Sequence, residues 1–192
     1  MRTLLLTGFD PFGGQSVNPS WEAVSLLPEE IGDFRLYKLM MPTVFGEAAR
    51  SVLSVAKELK PDVILSVGQA GGRNAITPER IGINVRSASI PDNVGNQPVQ
   101  EPVIEGGPDG IFSTLPVAKM AEAVKAAGYP AAISNTAGTF VCNDLLYTLL
   151  HHYRGTTTRV GFVHVPYLPE QGEPNLSLED IGKALAAAIS VL

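Results

Sequence analysis

The sequence predicts a three-layer α/β/α sandwich, a single domain over residues 1–192 in which helices cover both faces of one mostly parallel sheet. Three observations predict it. Short apolar runs alternate along the chain with stretches of helical periodicity. Several of those runs are apolar at every position, as strands covered on both faces must be. The length, 192 residues, is close to what one domain needs to bury a sizeable core.

The elements follow in order. Residues 3–7 are apolar, too short for a helix, and end at Gly8, so they read as a buried strand. Asn18-Pro19 supplies an N-cap and a first-turn proline for a helix to about Leu27. Residues 35–41 form a second strand. Between residues 45 and 60, Val52, Leu53, Val55, Ala56 and Leu59 lie on one helical face, and Pro61 stops the helix. Residues 62–67 make a third buried strand. After the loop 68–78, Ile81, Ile83 and Val85 alternate with Gly82, Asn84 and Arg86, as in a strand with two unlike faces. The stretch 90–109 is rich in Pro, Gly and Asn and longer than an ordinary connection, so it reads as a hairpin-like arm or a lid. A helix over 115–127 is closed by Gly128, and a short strand is expected at 131–135. The helix 140–153 carries Leu145, Leu146, Leu149 and Leu150 on one stripe. Residues 160–165 form the last strand, and Ser177 with Asp180 opens a helix that runs to the C-terminus.

Composition excludes several function classes. The net charge is −5, and no cluster of Lys and Arg offers the footprint that nucleic acid or an anionic membrane needs. A single Cys excludes an internal disulfide and a thiolate-based metal cluster, and suits a reducing compartment. The apolar run at residues 4–9 is too short for a signal peptide, and no segment approaches the ~18 apolar residues of a membrane span. The expected location is the cytoplasm. No dinucleotide fingerprint or phosphate-cradling loop of the G-x-x-x-x-G-K type occurs.

In an open α/β sheet the chemistry belongs to the loops at the carboxyl ends of the strands. After the first strand, Phe9 and Phe12 stand among glycines, either facing a ligand or plugging the core under a tight turn. The loop after the third strand leads through Gly68-Gln69-Ala70-Gly71-Gly72-Arg73 to Glu79, which alone reads as a surface carboxylate beside Arg80. Cys142 occupies the first turn of a helix, where the dipole favours thiolate; it also falls on the leucine stripe, where an inert small hydrophobe belongs. His151 and His152 lie at the far end of the same helix and cannot reach it. His164, ending the last strand, has the right address. Glu79, Cys142 and His164 together supply a carboxylate, a nucleophile and a base, the set that acyl transfer uses. Bringing a thiol pKa from ~8.5 below 7 needs about 2 kcal/mol, whereas a helix terminus supplies about 0.3–1, so the imidazolium must provide most of it.

The segments TGFDPFGG, GQAGGR with ITPERI, IPDNVGNQP, SNTAGTFVCN and GFVHVP run in register over nearly the whole chain. They resemble the pyrrolidone-carboxylate peptidases, also called pyroglutamyl peptidases type I. That resemblance implies a cytosolic cysteine peptidase that removes N-terminal pyroglutamate from peptides, with neither metal nor cofactor, commonly a homotetramer. By motif position it implies Cys142 as nucleophile, His164 as base and then acid, and Glu79 as its orienter. It implies a lactam pocket of Phe9, Phe12, Thr43, Phe140 and Val141, with Gln69 meeting the lactam. Two departures stand out. Members often carry an Arg before the IPDN segment, where this chain has Ser89; Arg86 is near in sequence but is expected to point elsewhere. Many carry a His two residues after the Cys, where this chain has Asp144, expected to oppose a thiolate. Two other readings compete: a nucleoside phosphorylase, disfavoured because only Arg73 and Arg80 could meet phosphate in these loops, and a silent binder of pyroglutamyl peptides.

Overall fold

In this computed structural model, which describes residues 1–192, the chain opens with β1 (Arg2–Phe9), α1 (Pro19–Leu26), β2 (Glu30–Ile31), β3 (Phe34–Met41), α2 (Glu47–Leu59) and β4 (Val63–Gln69). It continues through β5 (Thr77–Pro78), β6 (Ile81–Ile83), β7 (Gly110–Phe112), α3 (Val117–Ala126), α4 (Val141–His152), β8 (Arg159–Val165) and α5 (Leu178–Ile189). The main sheet has the order β2-β3-β1-β4-β8-β5. Its four central strands are parallel, and the two-residue strands β2 and β5 run antiparallel at its edges.

The all-apolar strands have two jobs because side chains alternate between faces. On β1, Leu4 and Leu6 enter one core and Leu5 the other; on β4, Val63, Leu65 and Val67 separate in the same way from Ile64. The first core is closed by α1, α3 and α5, the second by α2 and α4. Three layers result, as the fully apolar strands require. Local sequence sets the helix starts: Asn18 accepts the amide of Ser20 at 3.1 Å, and Ser177 accepts that of Asp180 at 3.1 Å. No helix is long and apolar enough to cross a membrane.

Two segments differ from expectation. Residues 131–135 form no strand, only single bridges from Ala131 to Ile76 and from Ser134 to Glu79. Their neighbour β5 is two residues long, and Pro78 has no N–H to extend a ladder. The strand expected over residues 81–85 stops at Ile83 and pairs with β7 in a ribbon separate from the main sheet. In it the buried residue is Gly82, because a Cβ there would sit 3.1 Å from the Tyr147 backbone; the ribbon lies directly on α4. Residues 86–101 double back as a hairpin-like arm, with Arg86 and Glu101 exchanging both backbone hydrogen bonds and Ala88 N–H donating to the Pro98 carbonyl. Asp92 organises its tip: the carboxylate accepts from the amides of Phe45, Val94 and Asn96 and from the Asn96 side chain. Burial alone would raise its pKa, but these bonds outweigh it and hold Asp92 below the ordinary carboxylate value.

Candidate active site

The residues that carry chemistry meet at the carboxyl ends of β4 and β8. Gly68 of β4 and His164 of β8 are register partners, so their Cα atoms sit one strand spacing apart, about 4.8 Å. Cys142 is the second residue of α4. A Cβ built on Gly68 would lie 2.9 Å from its Sγ and 2.7 Å from Phe162 Cζ, so the thiol rests over the glycine beside the Phe162 ring. Only a residue without a side chain lets the helix start approach the strand this closely. On the other side of β8, Thr77 of β5 pairs with His164, and the chain turns Glu79 inward. The fully buried Glu79 meets His164 through Oε1 and Nδ1 at 2.7 Å.

The electrostatics assign a protonation state to each group. Burial alone would push Glu79 up, but His164, Ser134 and Arg73 together hold it below the ordinary value, so it is ionised. Burial dominates at His164 and lowers its pKa despite the opposing pull of Glu79, so the ring is neutral at pH 7. With an ionised carboxylate on Nδ1, the proton sits there and Nε2 is left as an acceptor. The thiol runs against the sequence expectation: burial first, and the Glu79 charge second, push it up to about 12. A helix terminus cannot overcome that desolvation, and the resting site holds thiol and imidazole, not an ion pair.

The start of α4 is itself unusual. Its N-cap is Phe140, whose side chain cannot accept a hydrogen bond, and no side chain caps the first turn. Thr139, the nearest hydroxyl, donates instead to the Ser87 carbonyl. The amides of the first turn, that of Cys142 among them, therefore lack a side-chain cap.

Arg73 is a member of the site that sequence reasoning considered only as a phosphate ligand. Its Nη1 donates to Glu79 Oε1 at 2.6 Å and to Thr77 Oγ1 at 2.7 Å, and its Nη2 to the Thr136 carbonyl at 3.0 Å. The guanidinium is thus spoken for by the carboxylate. Its signal was the short spacing to Glu79 inside one glycine-rich loop. Glu79 Oε2, by contrast, is buried with no protein partner. Asp144, one of the two departures, is paired with Arg86. Arg86 does not point away: it leaves the ribbon after β6 and places Nε 2.5 Å from Oδ1 of the fully buried Asp144.

Of the expected pocket residues, Phe12 and Phe140 meet with ring centroids 6.0 Å apart, and Phe45, not foreseen, stands edge-on to Phe140 at 5.3 Å. Thr43 is fixed by its amide and hydroxyl on Asp10. Gln69 Oε1 accepts from Gln171 Nε2 at 2.9 Å. Phe9 and Val141 are buried in the core under α2 and α4, with 2% and 0% exposure. His151 and His152 lie at the far end of α4, where His152 packs on Tyr153. No group of three or more His, Cys, Asp or Glu side chains is placed to hold a metal ion.

Comparison with known proteins places this geometry in a family. The family model for pyroglutamyl peptidase matches residues 2–192. A pyrrolidone-carboxylate peptidase of Escherichia fergusonii is 50% identical over 196 residues, covering 98% of this chain and 92% of the relative. The crystal structure of Bacillus amyloliquefaciens pyroglutamyl peptidase I superimposes with a TM-score of 0.95 at 48% identity, covering 100% of this chain and 96% of that one. Pyrrolidone carboxyl peptidase from Thermococcus litoralis gives 0.95 at 35% identity, covering 100% and 93%. With its full length matched by the family model and its fold by these structures, the chain belongs to the pyroglutamyl peptidase family.

Proposed function

We propose that this chain is a cytoplasmic cysteine peptidase that hydrolyses the bond after an N-terminal pyroglutamyl residue, acting as one peptidase domain over residues 1–192. The observation that carries the reading is the seating of Cys142 over Gly68, the register partner of a His164 whose other nitrogen is held by Glu79. The thiol proton passes to His164 Nε2 as Sγ attacks the pyroglutamyl carbonyl. The oxyanion that forms faces the uncapped amides of α4. Glu79 stabilises the imidazolium that results. Collapse of the tetrahedral intermediate breaks the amide bond, His164 returns the proton to the leaving amine, and a thioacyl enzyme remains. Water, deprotonated by the same imidazole, then releases pyroglutamate and regenerates the thiol.

Phe12, Phe140, Thr43 and Gln69 form the lactam pocket, with Phe9 and Val141 as its buried floor. Two aromatic faces need about 7 Å between them to hold a flat ring, more than the 6.0 Å observed. Phe12, on its glycine-flanked loop, swings outward to admit the lactam. The pocket offers no counter-charge for an α-ammonium, so glutaminyl and glutamyl amides are rejected. No cofactor is required, peptides with N-terminal pyroglutamate are the partners, and the assembly is a homotetramer, to be read by sedimentation. A phosphorylase has little support, because Arg73 is committed to Glu79.

A fluorogenic pyroglutamyl amide tests the proposal. The parent turns it over, Cys142→Ser and His164→Ala abolish turnover with the fold intact, and Glu79→Gln loses less. A folded parent that binds the amide without hydrolysing it is a silent binder, and comparable turnover of a glutaminyl amide removes the pocket assignment.

A further inference from the structure

Two fully buried carboxylates flank the start of α4, and each is met by one arginine. Glu79 carries Arg73 and His164 on Oε1. Asp144, two residues beyond Cys142, carries Arg86 on Oδ1 and the Gly46 amide on Oδ2. The Gly46 amide comes from the N-cap of α2 and Arg86 from the base of the arm, so this one carboxylate ties two segments to the first turn that bears the nucleophile. We propose that Arg86, through its ion pair with Asp144, is a positioning residue for Cys142: it pins the first turn of α4 to the arm and cancels a buried negative charge two residues from the thiol. This rests on Cys142 being the nucleophile.

The charges around the thiol make the direction of the effect definite. Glu79 raises it and Arg73 lowers it from the loop around β5, His164 on β8 is the register partner of the glycine beneath it, and Asp144 belongs to its own helix turn, paired with Arg86. Removing the guanidinium leaves the Asp144 carboxylate buried with a single neutral donor, and an unpaired charge in such surroundings repels a developing thiolate strongly. Arg86 is a partly exposed side chain, with 25% accessibility, opening on a cavity of about 380 Å³ shared with Phe45, Asn96 and Gln97. Truncating it therefore enlarges an existing opening and leaves the packed core untouched.

The test reads the thiol directly, by the pH dependence of Cys142 alkylation with iodoacetamide, alongside turnover of the pyroglutamyl amide. Arg86→Ala is expected to move the alkylation profile about one unit to higher pH, roughly tenfold slower at a given pH on its lower limb, and to lower kcat more than it raises KM. Asp144→Asn, nearly isosteric, is expected to move the profile the opposite way, and Arg86→Lys to stay near the parent. A folded Arg86→Ala whose profile superimposes on the parent's reduces the pair to a structural tie and overturns the proposal. If Arg86→Ala does not fold, Asp144→Asn decides alone: a profile unchanged or moved upward overturns it. Alkylation that responds as expected in a parent without turnover would sink the peptidase reading and leave this inference standing.

Discussion

At the scale of single residues, the site works by burial opposed by hydrogen bonds. His164 is depressed below 6.5 because burial disfavours its charged form more than Glu79 favours it. A depressed histidine adds stability that is complete above pH 6.5 and is lost as pH falls toward its folded pKa, since the unfolded chain then binds the proton more readily. In the proposed mechanism the same proton removes the base. The acid limb of kcat/KM is therefore expected below pH 6.5, with thermal stability declining over that window. A limb above 6.5 would mean that Glu79 wins over burial. Gly68 gives a second prediction. A methyl group there falls 2.9 Å from Sγ and 2.7 Å from the Phe162 ring, so Gly68→Ala costs about 1–3 kcal/mol and displaces the thiol. Gly82→Ala, which meets only Tyr147 and Leu146, is expected to lower stability while leaving Cys142 alkylation unchanged. Equal losses of alkylation in both would remove the special role of Gly68.

At the scale of elements, α4 is the part on which the others are hung. Its residues 142, 143 and 144 point to three different jobs: the thiol over β4, Asn143 on the β6 ribbon, and Asp144 on the arm and α2. Asn143, fully buried, accepts from the Ile83 amide and donates to the carbonyls of Ile83 and Val85. Asn143→Ala takes this partner from the half-buried Ile83 amide and Val85 carbonyl, while the Ile83 carbonyl keeps the Val85 amide, and is expected to cost about 1–2 kcal/mol in a denaturant titration. It should also open the ribbon and arm to limited proteolysis. A loss below 0.5 kcal/mol, by the usual scale of surface substitutions, would show that the ribbon is held by packing on α4 instead.

At the scale of the whole molecule, the two cores cannot melt separately, because alternate residues of β1, β4 and β8 serve both. Calorimetry is expected to show one transition with equal calorimetric and van't Hoff enthalpies at fixed protein concentration. Two resolved transitions would divide residues 1–192 into more than one folding unit. The same sharing explains why the site is rigid: Gly68 and His164 sit on adjacent central strands, each clamped from both faces.

The sequence by itself determined the layers and named the residues of the proposed triad. Apolar runs with helical stretches between them admit one kind of covered parallel sheet, and Glu79, Cys142 and His164 each follow or end an element at its carboxyl edge. Its blind spots were the short pieces. β2, β5 and β7 are two or three residues long, and a pair of residues carries no periodicity to read. The segment 131–135 had strand-forming residues but met a partner too short to pair with. Tertiary structure alone decided the protonation state of the thiol, because desolvation depends on what surrounds it and not on its place in a helix. It also decided the partners of the two arginines. Arg73 and Glu79 are six residues apart, but Arg86 and Asp144 are separated by 58, and no spacing rule connects a ribbon residue to a helix turn across that gap. Arg86 and Asp144, unrelated along the chain, became one ion pair because the fold buries a carboxylate, and a buried carboxylate must find a cation.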